Sequence, residues 1–329
     1  MTGRSAMNRM GLLKAAALAL LACTAGAFPV VARSNETAAA PAAGGGLTDP
    51  DILQFALTLE HLEEAFYRTG FAKFPDSDFE ALGLKAEQVR DLKQIGRTEQ
   101  EHVVFLQSAL AQAGVQPVQP CEYDFGFTDA KAMATTGAQL ENVGVSAYLG
   151  AAKLIRDPAI LTAAGSILTI ESRHQSSLRV LLGQTAVPQA FDAPLGPRAV
   201  FSIAAPFIRS CPPGSNLAIQ PFPPLAMMDQ PPQEPQPQPQ QKQPAALAAG
   251  SMLRVRAAGA GTAAATHCAF TSGGVVPGGT AFTRFSETEG CQIPPGVAGV
   301  TYLSLSRAAP VDGVLRDEDT VAGTMILAL

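Results

Sequence analysis

Residues 98–106, "TEQEHVVFL", and residues 169–178, "TIESRHQSSL", each set a glutamate three positions before a histidine inside an otherwise apolar helical pattern. Around the first, Leu92, Ile95, Leu106 and Leu110 recur at steps of three and four, and Glu99 and His102 fall on the same stripe. Around the second, Ile160, Ile167, Leu178 and Leu181 define the stripe, and Glu171 and His174 occupy it. Such steps keep side chains on one face of a helix. Ionisable groups therefore stand where leucines belong, and two Glu-x-x-His pairs point into the interior of a helical fold.

Two further helices carry a matching repeat. In "LEHLEEAFY" Tyr67 follows Glu60 by two helical turns, and in "LENVGVSAY" Tyr148 follows Glu141 by the same interval. The chain reads as two related helix pairs, each supplying a Glu and then a Glu-x-x-His. The repeat selects Glu60 and Glu141 among the acids of these helices. Glu63, Glu64 and Glu101 are expected to be charges on solvated faces, with Glu64, one turn from Glu60, the alternative to it, and His61 a surface or interhelix residue.

Turn and cap residues delimit the four helices. Thr48 caps the first, with Pro50 in its first turn and Gly70 at its end. The second runs from about Leu84 to Gly114, and the third from about Thr128 to Arg156. In the fourth, Asp157 is the N-cap, Pro158 the first helical residue and Gly183 the stop. Helices of this length with mostly short connections predict a mainly α architecture, a four-helix bundle over 48–184. Residues 185–247 are dense in proline and end in "QPPQEPQPQPQQKQPAA", which reads as a Pro/Gln-rich connection. Residues 248–329 hold β-like runs, "MLRVRAA", "TAFTRF", "VTYLSLS" and "GTMILAL", separated by turn residues, and predict a small β domain.

Burying four carboxylates with two histidines and no compensating charge is prohibitively unfavourable. Two divalent cations would compensate them. One Glu from each of two helices, with Glu-x-x-His from each of the other two, is the di-iron or di-manganese carboxylate arrangement of such bundles. Oxygen-rich ligation with few imidazoles favours iron, with manganese as the alternative, over a closed tetrahedral zinc site. A single Glu-x-x-His is common on exposed helices. Two, each on an apolar stripe and each with a helix-matched Glu, are not.

With these motifs in view, residues 48–184 resemble the ferritin-like domain family that includes plant desiccation-related and fungal stress-response proteins. "CEYDFGF" at 121–127 and "APFIRSCPPGSN" at 205–216 are similar to that family too, as is the secreted layout with a β tail. The resemblance implies a ferritin-type metal site whose ligands map onto Glu60, Glu99, His102, Glu141, Glu171 and His174. Tyr67 and Tyr148, two turns from the ligands, are candidates for a redox or hydrogen-bonding role beside it.

A formal net charge of −5 argues against a nucleic-acid partner, which needs a basic face. Residues 1–27 read as a signal peptide: Arg4, Arg9 and Lys14 precede an apolar run, and Ala25-Gly26-Ala27 offers a cleavage site. Residues 28–47 read as a flexible leader. The apolar run is short for a membrane span, and no later stretch suits one. Removing the peptide leaves Cys121, Cys211, Cys268 and Cys291, an even number that suggests disulfides in a secreted chain. Three connectivities are open, and proximity within the expected domains favours Cys121–Cys211 and Cys268–Cys291.

Two function classes follow. One is an extracellular or cell-wall metalloprotein in stress response or metal and redox handling, with two metal ions and O₂ or peroxide as partners and di-iron oxidase-type activity. The other is a non-catalytic, secreted or wall-associated stress protein that uses the bundle as a scaffold. The Pro/Gln connection and β tail suit attachment to a wall or to a protein partner.

Overall fold

The computed structural model describes residues 47–215, 219–228, 247–257, 264–273 and 276–329. The expected signal peptide, almost all of the leader and the "QPPQEPQPQPQQ" run lie outside these residues. Thr48 caps α1 (Asp49–Lys73) through a reciprocal capping box with Asp51, and Pro50 sits in its first turn. α1 continues past Gly70 by one turn. A short α2 (Asp76–Glu80) then leads into α3 (Ala86–Gln112). Asp129 caps α4 (Ala130–Ala151) by accepting from the Ala132 amide at 2.7 Å. Asp157 caps α5 (Pro158–Leu181) by accepting from the Ala159 amide at 2.7 Å.

The four long helices pair as the internal repeat requires: α1 packs on α3, α4 packs on α5, and α1 and α4 meet between the pairs. Their apolar stripes close over Leu62, Phe66, Tyr67, Leu92, Ile95, Leu140 and Leu178 at one end of the bundle. Leu53, Leu57, Val103, Leu106 and Leu110 fill the other end. The crossover between the pairs holds β1 (Glu122–Tyr123), which pairs with β2 (Ile208–Ser210). A disulfide between Cys121 and Cys211 fastens this small ribbon.

The stretch after α5 does more than connect. α6 (Pro197–Ala204) packs on α4, and Ala193, Leu195, Val200, Phe201 and Phe222 are buried. Proline density hides the spaced apolar residues that make this segment part of the core. The Leu195 amide donates to Ser146 O at 3.0 Å, and a Cβ on Gly150 would lie 1.9 Å from Leu195 O, so only glycine admits this approach.

β3 (Leu225–Met227) pairs with β5 (Val255–Ala257), which follows β4 (Met252–Leu253). The β region therefore begins before 248. β6 (His267–Thr271), β7 (Thr280–Ser286), β8 (Gly290–Gln292), β9 (Val300–Ser306) and β10 (Thr320–Ala328) complete it. Among the described residues the main sheet has the order β10-β9-β6-β7-β8-β4, with antiparallel pairing throughout. A Cys268–Cys291 disulfide joins β6 to β8.

Every residue of β9 is buried. Val300 and Tyr302 from β9 share a cluster with Phe55 of α1, Val143 and Ala147 of α4, and Val200 and Phe201 of α6. Bundle and sheet are thus joined by a common core. Among the described residues, no helix is long and apolar enough to cross a membrane.

Candidate metal centre

The helix pairing brings all six sequence-predicted ligands together between the two apolar layers of the bundle. Glu60, Glu99, Glu141 and Glu171 are at most 1% exposed, and His102 and His174 are also buried. Ligand atoms of Glu60, Glu99, His102 and Glu171 lie within 4.8 Å of one another, and so do those of Glu99, Glu141, Glu171 and His174. Glu99 and Glu171 belong to both groups. Glu60 with His102, and Glu141 with His174, close opposite ends.

Each histidine turns Nδ1 toward the carboxylates. His102 Nδ1 is 3.2 Å from Glu60 Oε2, 3.0 Å from Glu99 Oε2 and 3.2 Å from Glu171 Oε1. His174 Nδ1 is 2.7 Å from Glu99 Oε1 and 3.1 Å from Glu141 Oε2. On its far side His174 Nε2 is 3.0 Å from the Thr98 hydroxyl, which itself donates to Ile95 O. With the Thr98 oxygen left to accept, Nε2 donates to it, and Nδ1 is the nitrogen an ion would reach on displacing the imidazolium proton.

These groups perturb one another strongly. Burial pushes the Glu60 carboxyl up to about 7, against the lowering effect of His102. Burial likewise raises Glu141 and carries Glu171 well above the carboxylate range, with the Glu99 charge adding to both. Burial would raise Glu99 too, but its contacts with His102 and His174 prevail and hold it at about 2. Burial disfavours the charged histidines, yet the surrounding carboxylates outweigh it, raising His102 and bringing His174 to about 9.

Three oxygens mark what the protein alone does not satisfy. Glu99 Oε1, Glu171 Oε1 and Glu171 Oε2 are buried without a hydrogen-bond partner. Two of them have a histidine as ion-pair neighbour, Glu171 Oε1 at 3.2 Å from His102 Nδ1 and Glu99 Oε1 at 2.7 Å from His174 Nδ1. They belong to the two glutamates shared by both groups. A bound cation fits this set, since it would supply these oxygens with positive charge and displace the protons from Glu60, Glu141 and Glu171.

The tyrosines cross between the repeats. Tyr148 Oη donates to Glu60 Oε1 at 2.5 Å, and Tyr67 Oη donates to Glu141 Oε1. Each phenol therefore orients the glutamate of the other helix of the α1–α4 pair, rather than that of its own helix.

Glu63 is a correction to the sequence reading. It is 4% exposed and faces the cluster, where burial and then the Glu171 charge drive its carboxyl well above the usual range. The cause lies on α4. A Cβ on Gly144 would come within 2.9 Å of Glu171 Oε2 and 3.3 Å of Glu63 Oε1, so the glycine makes the room these carboxyl groups occupy. Glu63 and Gly144 hold equivalent positions in the repeat, and that complementarity is the sequence signal for Glu63. His61 is buried as well, with Nε2 at 3.3 Å from Val118 O. Glu64 instead pairs with Arg68 at 2.8 Å, and Glu101 is exposed.

A crevice between α3 and α5, lined by Glu101, His102, Phe105, Ser166, Thr169 and Arg173 among others, leads from solvent to His102. Leu59, Leu106, Tyr148 and Ile167 line an apolar pocket beside the cluster.

Residues 48–184 match the model of the ferritin-like domain family. This segment is a ferritin-like domain. The chain is also similar to Protein rds1 of Schizosaccharomyces pombe, with 27% identity over 184 residues, 56% of this chain and 45% of that protein. It thus matches less than half the length of that relative. The ferritin-like domain contains the four long helices and all the clustered glutamates and histidines, while the sheet lies beyond it.

Proposed function

We propose that the ferritin-like domain holds two divalent ions, iron or manganese, in a secreted protein of metal and redox handling or stress response. The observation that carries this reading is the trio of buried oxygens on Glu99 and Glu171 without hydrogen-bond partners. Glu60, Glu99, His102 and Glu171 would hold one ion, and Glu99, Glu141, Glu171 and His174 the other. Bound iron would supply electron transfer to O₂ or peroxide.

The chain's own residues prepare that chemistry. Thr98 fixes the His174 ring so that Nδ1 faces the ion, and Tyr148 and Tyr67 orient Glu60 and Glu141. The apolar walls exclude water, while the crevice at His102 offers a polar way in. The two disulfides support an oxidising, extracellular setting or a cell wall, where the sheet and the Pro/Gln run would serve for attachment.

A second reading rests on the shared core of bundle and sheet. In it the protein is a stable wall-associated scaffold or metal store without turnover. Aerobic addition of Fe(II), followed with an oxygen electrode, separates the two. The redox reading predicts oxidation faster than in buffer, and loss of the excess rate in Glu60→Ala and Glu141→Ala. Tight binding with a buffer-like rate in every variant leaves the scaffold or storage reading.

A further inference from the structure

The second half of the internal repeat carries a polar trio where the first half has one histidine and two apolar residues. Glu60 answers Glu141, so His61 and Ala65 answer Asn142 and Ser146; His102 answers His174, so Val103 answers Gln175. Asn142, Ser146 and Gln175 are all buried; the first two meet one side chain from the sheet, and Gln175 is linked to it through Asn142. Asn142 Nδ2 donates to Tyr302 Oη at 2.6 Å, and Ser146 Oγ lies 2.7 Å from the same oxygen. Gln175 Nε2 donates to Asn142 Oδ1 at 2.8 Å, bridging α4 to α5. Tyr302 is itself 1% exposed.

We propose that Tyr302 is a positioning residue for the Glu141–His174 half of the metal centre, so that the sheet braces one metal position and not the other. This rests on the two-metal reading above. Asn142 directly follows Glu141, and Gln175 directly follows His174. Successive helical residues diverge by roughly a quarter-turn or more, so the ligands face the bundle interior while Asn142 turns to Tyr302 of the sheet and Gln175 turns to Asn142. The Gln175–Asn142 bond thus spans the same helix pair as the 3.1 Å contact of His174 Nδ1 with Glu141 Oε2. A buried network with its members satisfied holds a single arrangement, and partners behind metal ligands tune affinity. The equivalent positions of the first half do not reach the sheet in this way. His61 bonds instead to Val118 O in the crossover, and Val103 packs in the apolar layer with Leu53 and Leu57. The two ion positions are therefore unequal.

Titration of the full chain with Co(II), read by calorimetry and visible absorption, tests this. Tyr302→Phe is expected to weaken one of the two equivalents about tenfold and to leave the other unchanged. Gln175→Met should reproduce the split. Leu303 is the control: it neighbours Tyr302, points to the opposite sheet face and is buried in the core of the β region. Leu303→Ala should lower stability while both equivalents bind as in the wild type. The proposal is overturned if Tyr302→Phe leaves both affinities unchanged, if both weaken together, or if Leu303→Ala produces the same split. A wild-type chain that takes up no Co(II) overturns the metal reading, and this proposal with it.

Discussion

Tyr148 on α4 donates its hydroxyl to Glu60 on α1 at 2.5 Å, and Tyr67 on α1 returns the bond to Glu141 on α4. The exchange ties the halves of the repeat together at the buried carboxylate cluster. It also favours the ionised carboxylate of Glu60, the form that binds a cation. Tyr148→Phe should therefore retain the fold but bind metal only at higher pH than the wild type. A pH series of Mn(II) binding checks this, and identical profiles for the two proteins would refute it.

The metal-free centre should lose stability as pH rises. Glu60 titrates near 7 when folded against about 4.5 when unfolded, so between these values the folded chain holds a proton that the unfolded chain has released. Its contribution falls as pH climbs through that window. His174, raised to about 9 from 6.5, extends the fall from pH 6.5 to about 9. Glu99, held at about 2, stabilises above 4.5 and loses this only as pH drops toward 2. Metal competes with the same protons, so its affinity should rise where metal-free stability declines. Urea melts with and without Mn(II) from pH 5 to 9 should diverge steadily, and parallel curves would count against a metal at these residues.

Gly144 separates ligand geometry from folding. Alanine there places its Cβ 2.9 Å from Glu171 Oε2, the mobile end of a side chain, so the cost to the fold should be small. The ligand, however, has to move. Gly144→Ala should weaken metal binding about tenfold with a melting temperature near that of the wild type in the metal-free state. Unchanged affinity would show that Glu171 does not depend on this gap.

The Cys121–Cys211 bond closes a sequence separation of 90 residues and fastens the crossover to the segment after α6. Replacing both cysteines by serine should lower stability by about 4 kcal/mol, since a long loop is released in the unfolded chain. Denaturant titration measures it. Metal binding should persist, because neither cysteine touches the cluster.

Much of this fold is legible in the chain because helices of period 3.6 expose their exceptions. Glu99, His102, Glu171 and His174 break apolar stripes, and the structure buries all four. Glu60 and Glu141 emerge only from comparing one helix with another. Glu63 emerges from that comparison only when Gly144 is read as the space it fills, because that space is made by a missing side chain on a different helix. The tyrosines share a face with the glutamates of their own helices, yet they bond across to the partner helix, a choice set by the packing of α1 on α4. α6 and the reach of Tyr302 to Asn142 are set by contacts between remote segments, which local periodicity does not encode.

The central claim is a two-ion site built on Glu99 and Glu171, and metal stoichiometry tests it most directly. Purified chain reconstituted anaerobically with Fe(II), or with Mn(II), and freed of excess should contain about two ions by elemental analysis, as the paired Glu and Glu-x-x-His pattern requires. The Glu99→Gln, Glu171→Gln double variant should contain none and should lack the metal-dependent stabilisation, which is about 2.7 kcal/mol at a hundredfold excess over Kd. Wild-type chain that remains metal-free, or a double variant that loads as fully as the wild type, would contradict the account.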